Sequence, residues 1–180
     1  MLERVKTILK VPFSKEAIYL PQQFNNAELF DWLSAVGGKD IEVEWPAEQL
    51  TIYGAHNLAE RQKGYGAITK QKTGNWQPSW VVIGDIHADP IIFNFSSSPC
   101  NILFARHGQG RWEARPLAGS TGDFARALTI WCEMYYIKFG KKILDDEFEV
   151  KDSFKKALSD DLSHVLNKEE AETFIFAVAG

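Results

Sequence analysis

The sequence predicts an α+β fold: a single domain with an antiparallel or mixed sheet, flanking helices and a helical C-terminal extension. Three observations carry that expectation. Between residues 80 and 117, short runs rich in β-branched and aromatic residues follow one another with turn residues between them. Segments with apolar residues at helical spacing stand before and after that region. No regular alternation of strand and helix announces a parallel βαβ wind. With 180 residues, 45% apolar and 13% aromatic, the chain has material for one sizeable core, so a single domain over 1–180 is expected.

Taken in order, Leu2, Val5, Ile8 and Leu9 recur at helical spacing until Pro12 stops the pattern. Asn25 or Asn26 is placed to cap a second helix with Leu29, Phe30, Leu33 and Val36 on one face, and Gly37-Gly38 supplies its exit. Ile41, Val43 and Trp45 alternate with Asp40, Glu42 and Glu44, which reads as a half-buried strand with an acidic exposed edge, ended by Pro46. Residues 46–79 carry scattered glycines and read mostly as loop, with a short helix around His56 to Gln62. The meander follows: strands at Trp80–Ile83, Ile91–Phe95, Asn101–Arg106 and Trp112–Leu117, with turns at Gly84–Pro90, Ser96–Pro99 and His107–Gly110. Ser120 and Asp123 open a helix whose stripe is Phe124, Leu128, Trp131 and Tyr135, with Gly140 past its end. Two further helices are expected, one with Phe154, Leu158, Leu162 and Val165 in a stripe and one opened by Asn167 and Glu170 ahead of Phe174 and Val178.

Charge and motif content narrow the function classes. A net charge of −4 disfavours a phosphate-tracking surface, so nucleic acid is not an expected partner. The opening Met1-Leu2-Glu3-Arg4-Val5-Lys6 lacks the apolar core of about 7–15 residues that a secretory signal needs, and no run approaches the roughly 18 apolar residues of a membrane span. The two cysteines, Cys100 and Cys132, each sit in an apolar run and read as reduced buried thiols, which fits the cytoplasm.

Two tetrapeptides have a catalytic look. Gly84-Asp85-Ile86-His87 after an apolar strand resembles the first metal ligands of a metallophosphoesterase, but the later Gly-Asp and Gly-Asn-His-Glu elements do not follow, leaving Asp89 and His107 as substitutes. Arg106-His107-Gly108-Gln109 resembles a phosphohistidine motif, yet it lies in a meander, and the remaining downstream histidine is His164. Hairpin turns account for both more simply, so no catalytic residue, metal ligand or cofactor is expected; a phosphoesterase using Asp85 and His87 is the enzymatic alternative.

The order of elements has a further likeness. Leu20-Pro21, the amphipathic helix ending in Gly37-Gly38, Trp80-Val81-Val82-Ile83-Gly84, Ala88-Asp89-Pro90-Ile91-Ile92, Ala105 to Trp112 and Phe124 to Trp131 together resemble the SUKH superfamily. That superfamily takes in Smi/Knr-type regulators of fungal cell-wall assembly and many bacterial proteins. The resemblance covers about residues 20–140, with 145–180 beyond it. It implies an α+β fold without a catalytic centre and, for many bacterial members, an immunity protein that binds and neutralises a toxin domain, often a nuclease; other members are regulatory or scaffolding adaptors. From expected exposure, the partner-binding candidates are the acidic strand residues Asp40, Glu42 and Glu44, the turn residues His87 and Gln109, and Trp76 as an aromatic anchor.

Overall fold

The computed structural model describes residues 1–13, 17–18, 20, 22–44, 49–65 and 75–179. Helix α1 (Glu3–Leu9) and helix α2 (Ala27–Val36) precede β1 (Ile41–Val43), β2 (Leu50–Ile52) and the short α3 (Leu58–Arg61). Strands β3 (Trp80–Ile86), β4 (Asp89–Asn94), β5 (Asn101–Phe104) and β6 (Arg115–Ala118) follow, then helices α4 (Thr121–Cys132), α5 (Asp152–Leu162) and α6 (Lys168–Ala179). The six strands form one sheet in sequential order, each pair antiparallel, as short connections dictate.

The helix ends follow from side-chain chemistry. Asn26 Oδ1 accepts the Leu29 N–H at 3.0 Å, and Ser120 Oγ accepts the Asp123 N–H at 3.0 Å. At α6 the box is reciprocal: Asn167 Oδ1 accepts the Glu170 N–H at 3.0 Å and Glu170 Oε2 accepts the Asn167 N–H at 2.9 Å. Helix α4 runs into a π-helical segment, Glu133–Lys138, before the left-handed Gly140.

Four expectations shift. In α2 the buried stripe is Leu29, Trp32, Leu33 and Val36, whereas Phe30 is exposed. Strand β2 lies inside the stretch read as loop; its three residues are too few to show a period. The turn read over Gly84–Pro90 shrinks to His87-Ala88, because Gly84 and Asp85 pair with β2 and β4. A Cβ at Gly84 would stand 2.5 Å from the Thr51 carbonyl oxygen, so β2 approaches β3 this closely over a glycine. The last strand begins at Arg115, and Trp112 instead folds into the preceding loop to pack on Trp76. The expected strand residue Trp45 lies outside the described residues.

Side chains alternate to two unequal layers. The larger core joins Ile41, Ile52, Ile83, Phe93, Ile102 and Phe104 of the sheet to buried residues of α1, α2, α4, α5 and α6. Phe154, Leu158, Leu162 and Phe174 belong to that same core, so the helical extension beyond residue 145 is an integral wall of the domain. On the opposite face a small cluster of Trp80, Ile92, Leu103 and Ala105 is covered by Trp76, Trp112 and Ala114. No helix among the described residues is long and apolar enough to cross a membrane.

Candidate functional site: the rim of the sheet

The antiparallel register brings the end of β1, the β3–β4 turn and the β5–β6 loop to one rim. Two carboxylates fix its turns. His87 and Ala88 both occupy left-handed backbone, with φ of 51° and 70°. Asp85 holds that conformation by accepting the Ala88 N–H at 3.3 Å, and the Tyr65 hydroxyl donates to the Ala88 carbonyl at 3.0 Å. Asp85 also accepts a hydrogen bond from the Tyr53 hydroxyl. Burial, with the Asp85 hydrogen bond adding to it, holds the Tyr53 phenol far above its ordinary value, so it stays a neutral donor. One strand over, Asp89 Oδ1 accepts the His107 backbone N–H at 2.7 Å and lies 2.6 Å from His107 Nδ1, which ties the start of the β5–β6 loop to β4.

The predicted binding residues divide on this frame. His87 is exposed at the tip of its turn, and Gln109 is exposed in the β5–β6 loop. Glu42 is exposed beside Thr51, and Thr51 in turn stands opposite Asp85. Glu44 lies at the same rim, but its carboxylate meets Lys141 and its N–H donates to the Tyr136 hydroxyl at 3.0 Å. The π-helical segment carries Tyr136 to that contact, and burial pushes its phenol up to about 12.

Asp40 and Trp76 serve inside the fold. Asp40, with a side chain 12% exposed, accepts from the Gly54 N–H at 2.8 Å, from Asn57 Nδ2 at 3.2 Å and from Arg61 at 2.8 Å, so it anchors the passage from β2 to α3. Of the acidic edge expected through Asp40, Glu42 and Glu44, Asp40 is taken up inside the fold, while Glu42 and Glu44 stay exposed, Glu44 paired at the surface with Lys141. Trp76 is half-buried, edge-on to Trp80 at 5.2 Å and Trp112 at 5.4 Å, with Tyr65 at 5.8 Å. It caps the small aromatic cluster and presents little of itself to a partner.

The catalytic alternative finds Asp89 and His107 in contact, but its residues do not converge as a metal site would. Asp85 and Asp89 are engaged as turn anchors, His87 points from a hairpin tip, and among the described residues no group of three or more His, Cys, Asp or Glu side chains converges as metal ligands would. Both cysteines are free and buried, and burial pushes the Cys132 thiol up to about 12, away from the reactive thiolate form. Tyr53 and Tyr65, which brace the rim, carry no signal in the sequence because both lie in the stretch with weak periodicity. Comparison of the chain with protein-family models, with curated proteins and with solved structures finds no match.

The left-handed Ala88 is a site where glycine relieves strain. Ala88→Gly is expected to raise the free energy of unfolding by about 0.5–1 kcal/mol, measured by urea denaturation. A loss of stability on this change would mean that the turn is not held as described.

Proposed function

We propose that this chain is a non-catalytic protein-binding domain and, in its most specific form, a cytoplasmic immunity protein that binds and neutralises a toxin domain. The observation that carries the reading is the rim: His87 stands exposed on a turn held by Asp85 and Tyr65, and Gln109 stands exposed in a loop whose start Asp89 anchors at His107. A loop backbone ordered before association loses little freedom on binding, which is what a recognition surface requires. The anchoring carboxylates are occupied by turn hydrogen bonds, an arrangement that serves geometry better than proton transfer. The resemblance to SUKH proteins supports the immunity role, and the net charge of −4 suits a basic partner such as a nuclease domain.

The test is quantitative affinity capture from the native cell's lysate, comparing the wild-type chain with a Glu42→Lys/His87→Ala variant. Both positions are exposed, so the fold should persist. A toxin-like domain retained by the wild type and reduced about tenfold or more by the variant is the expected result. Equal retention by both proteins would move the interface away from this rim, and capture of cell-envelope or signalling proteins alone would favour the adaptor role.

A further inference from the structure

We propose that the cleft between the β5–β6 loop and α6 is a binding site for a carboxylate carried on a short apolar stem. It shares Gln109 with the rim but neither Glu42 nor His87, and the proposal does not depend on the immunity reading. The cleft encloses about 180 Å³. Two guanidiniums line it around one ring: Arg106 Cζ lies 4.2 Å and Arg115 Cζ 5.7 Å from the Phe176 centroid. The amide of Gln109 lines the same cleft, and Phe104 and Ala105 form apolar wall beside Phe176.

The charge inventory favours an incoming anion. Among the described residues no carboxylate lies within ion-pair distance of Arg115. Arg106 Nε approaches Asp89 Oδ2 only at 3.9 Å, and the other oxygen of Asp89 is taken by His107. Glu113, the one acid in the lining, is paired with Arg111. The Phe176 ring holds both guanidiniums by cation–π attraction, and that attraction leaves their N–H edges able to donate. A guanidinium offers a carboxylate two parallel N–H donors, and the aromatic wall accepts the carbon attached to it. Asp89 and Glu113 nearby add negative charge that weighs more heavily against a doubly charged phosphate than against a carboxylate.

Backbone amide NMR of the whole chain, titrated with butyrate, with inorganic phosphate, and with a short peptide bearing either a free or an amidated C-terminus, tests the proposal. Expected are saturable shifts at Gln109, Arg115 and Phe176 with butyrate or the free-carboxylate peptide. Arg115→Gln should weaken them about tenfold, while Arg126→Gln, outside the cleft lining and paired with Asp123, should leave them unchanged. Binding by butyrate alone marks a small-molecule carboxylate; binding by the free but not the amidated peptide marks a chain terminus. Shifts that never saturate, saturable binding that survives Arg115→Gln, or tighter binding of phosphate than of either carboxylate would overturn the assignment.

Discussion

Phe154→Ala is expected to lower the free energy of unfolding by about 3–5 kcal/mol, read as a shift in the urea midpoint at unchanged slope. Phe154 is fully buried, edge-on to Trp131 with centroids 5.6 Å apart and to Phe139 at 5.1 Å. Removing the ring deletes its transfer free energy and leaves a void that rigid neighbours cannot close, since Trp131 is itself stacked on Tyr135 at 5.9 Å. The result bears on function because α5 and α6 form one wall of the main core, and α6 carries Phe176 to the anion cleft. A loss below about 1 kcal/mol would show that the C-terminal helices are an appendage and not part of the domain.

Gln62→Leu is expected to cost about 2–4 kcal/mol even though side-chain volume is nearly kept. Gln62 is completely buried, and its carboxamide acts as a missing piece of strand: Oε1 accepts the Val82 N–H at 2.8 Å, and Nε2 donates to the Val82 carbonyl at 2.8 Å and the Leu58 carbonyl at 3.0 Å. The need arises because β2 pairs with β3 no further than Gly84, so Val82, paired with Ile92 of β4 on its other edge, has no strand partner on the β2 side. Leucine would leave buried N–H and C=O groups of Val82 unpaired on that side, the costly direction of the hydrogen-bond asymmetry. Faster hydrogen exchange at the Val82 amide is the accompanying sign, and unchanged exchange would place the pairing elsewhere.

How far the sequence discloses this depends on what each residue answers to. Local chemistry is legible: Asn26, Ser120 and the Asn167/Glu170 pair cap the helices that their residue types announce, and the meander follows from apolar runs broken by turns. Long-range bonding is not. Asp40 reads as one member of an alternating acidic face, yet its carboxylate is consumed by Arg61, Asn57 and the Gly54 N–H, groups 14 to 21 residues away. Trp76 sits in a polar loop sequence that suggests exposure, but the β5–β6 loop folds Trp112 back against it. Strand β2 is hidden because three residues carry no readable period, and Gln62 because a glutamine near the end of a short helix looks like surface. His87 and Gln109 stand exposed where glycine-bearing turn sequences place them, since turn residues declare themselves locally.

The central claim is that this chain acts by binding a protein through its pre-ordered sheet rim. It is tested most directly by adding the purified chain to the partner recovered in affinity capture and measuring that partner's own activity. The account predicts suppression at one-to-one stoichiometry, with Glu42→Lys/His87→Ala requiring about tenfold more protein for the same effect. Partner activity left untouched at saturating chain, or suppressed equally by the rim variant, would contradict it.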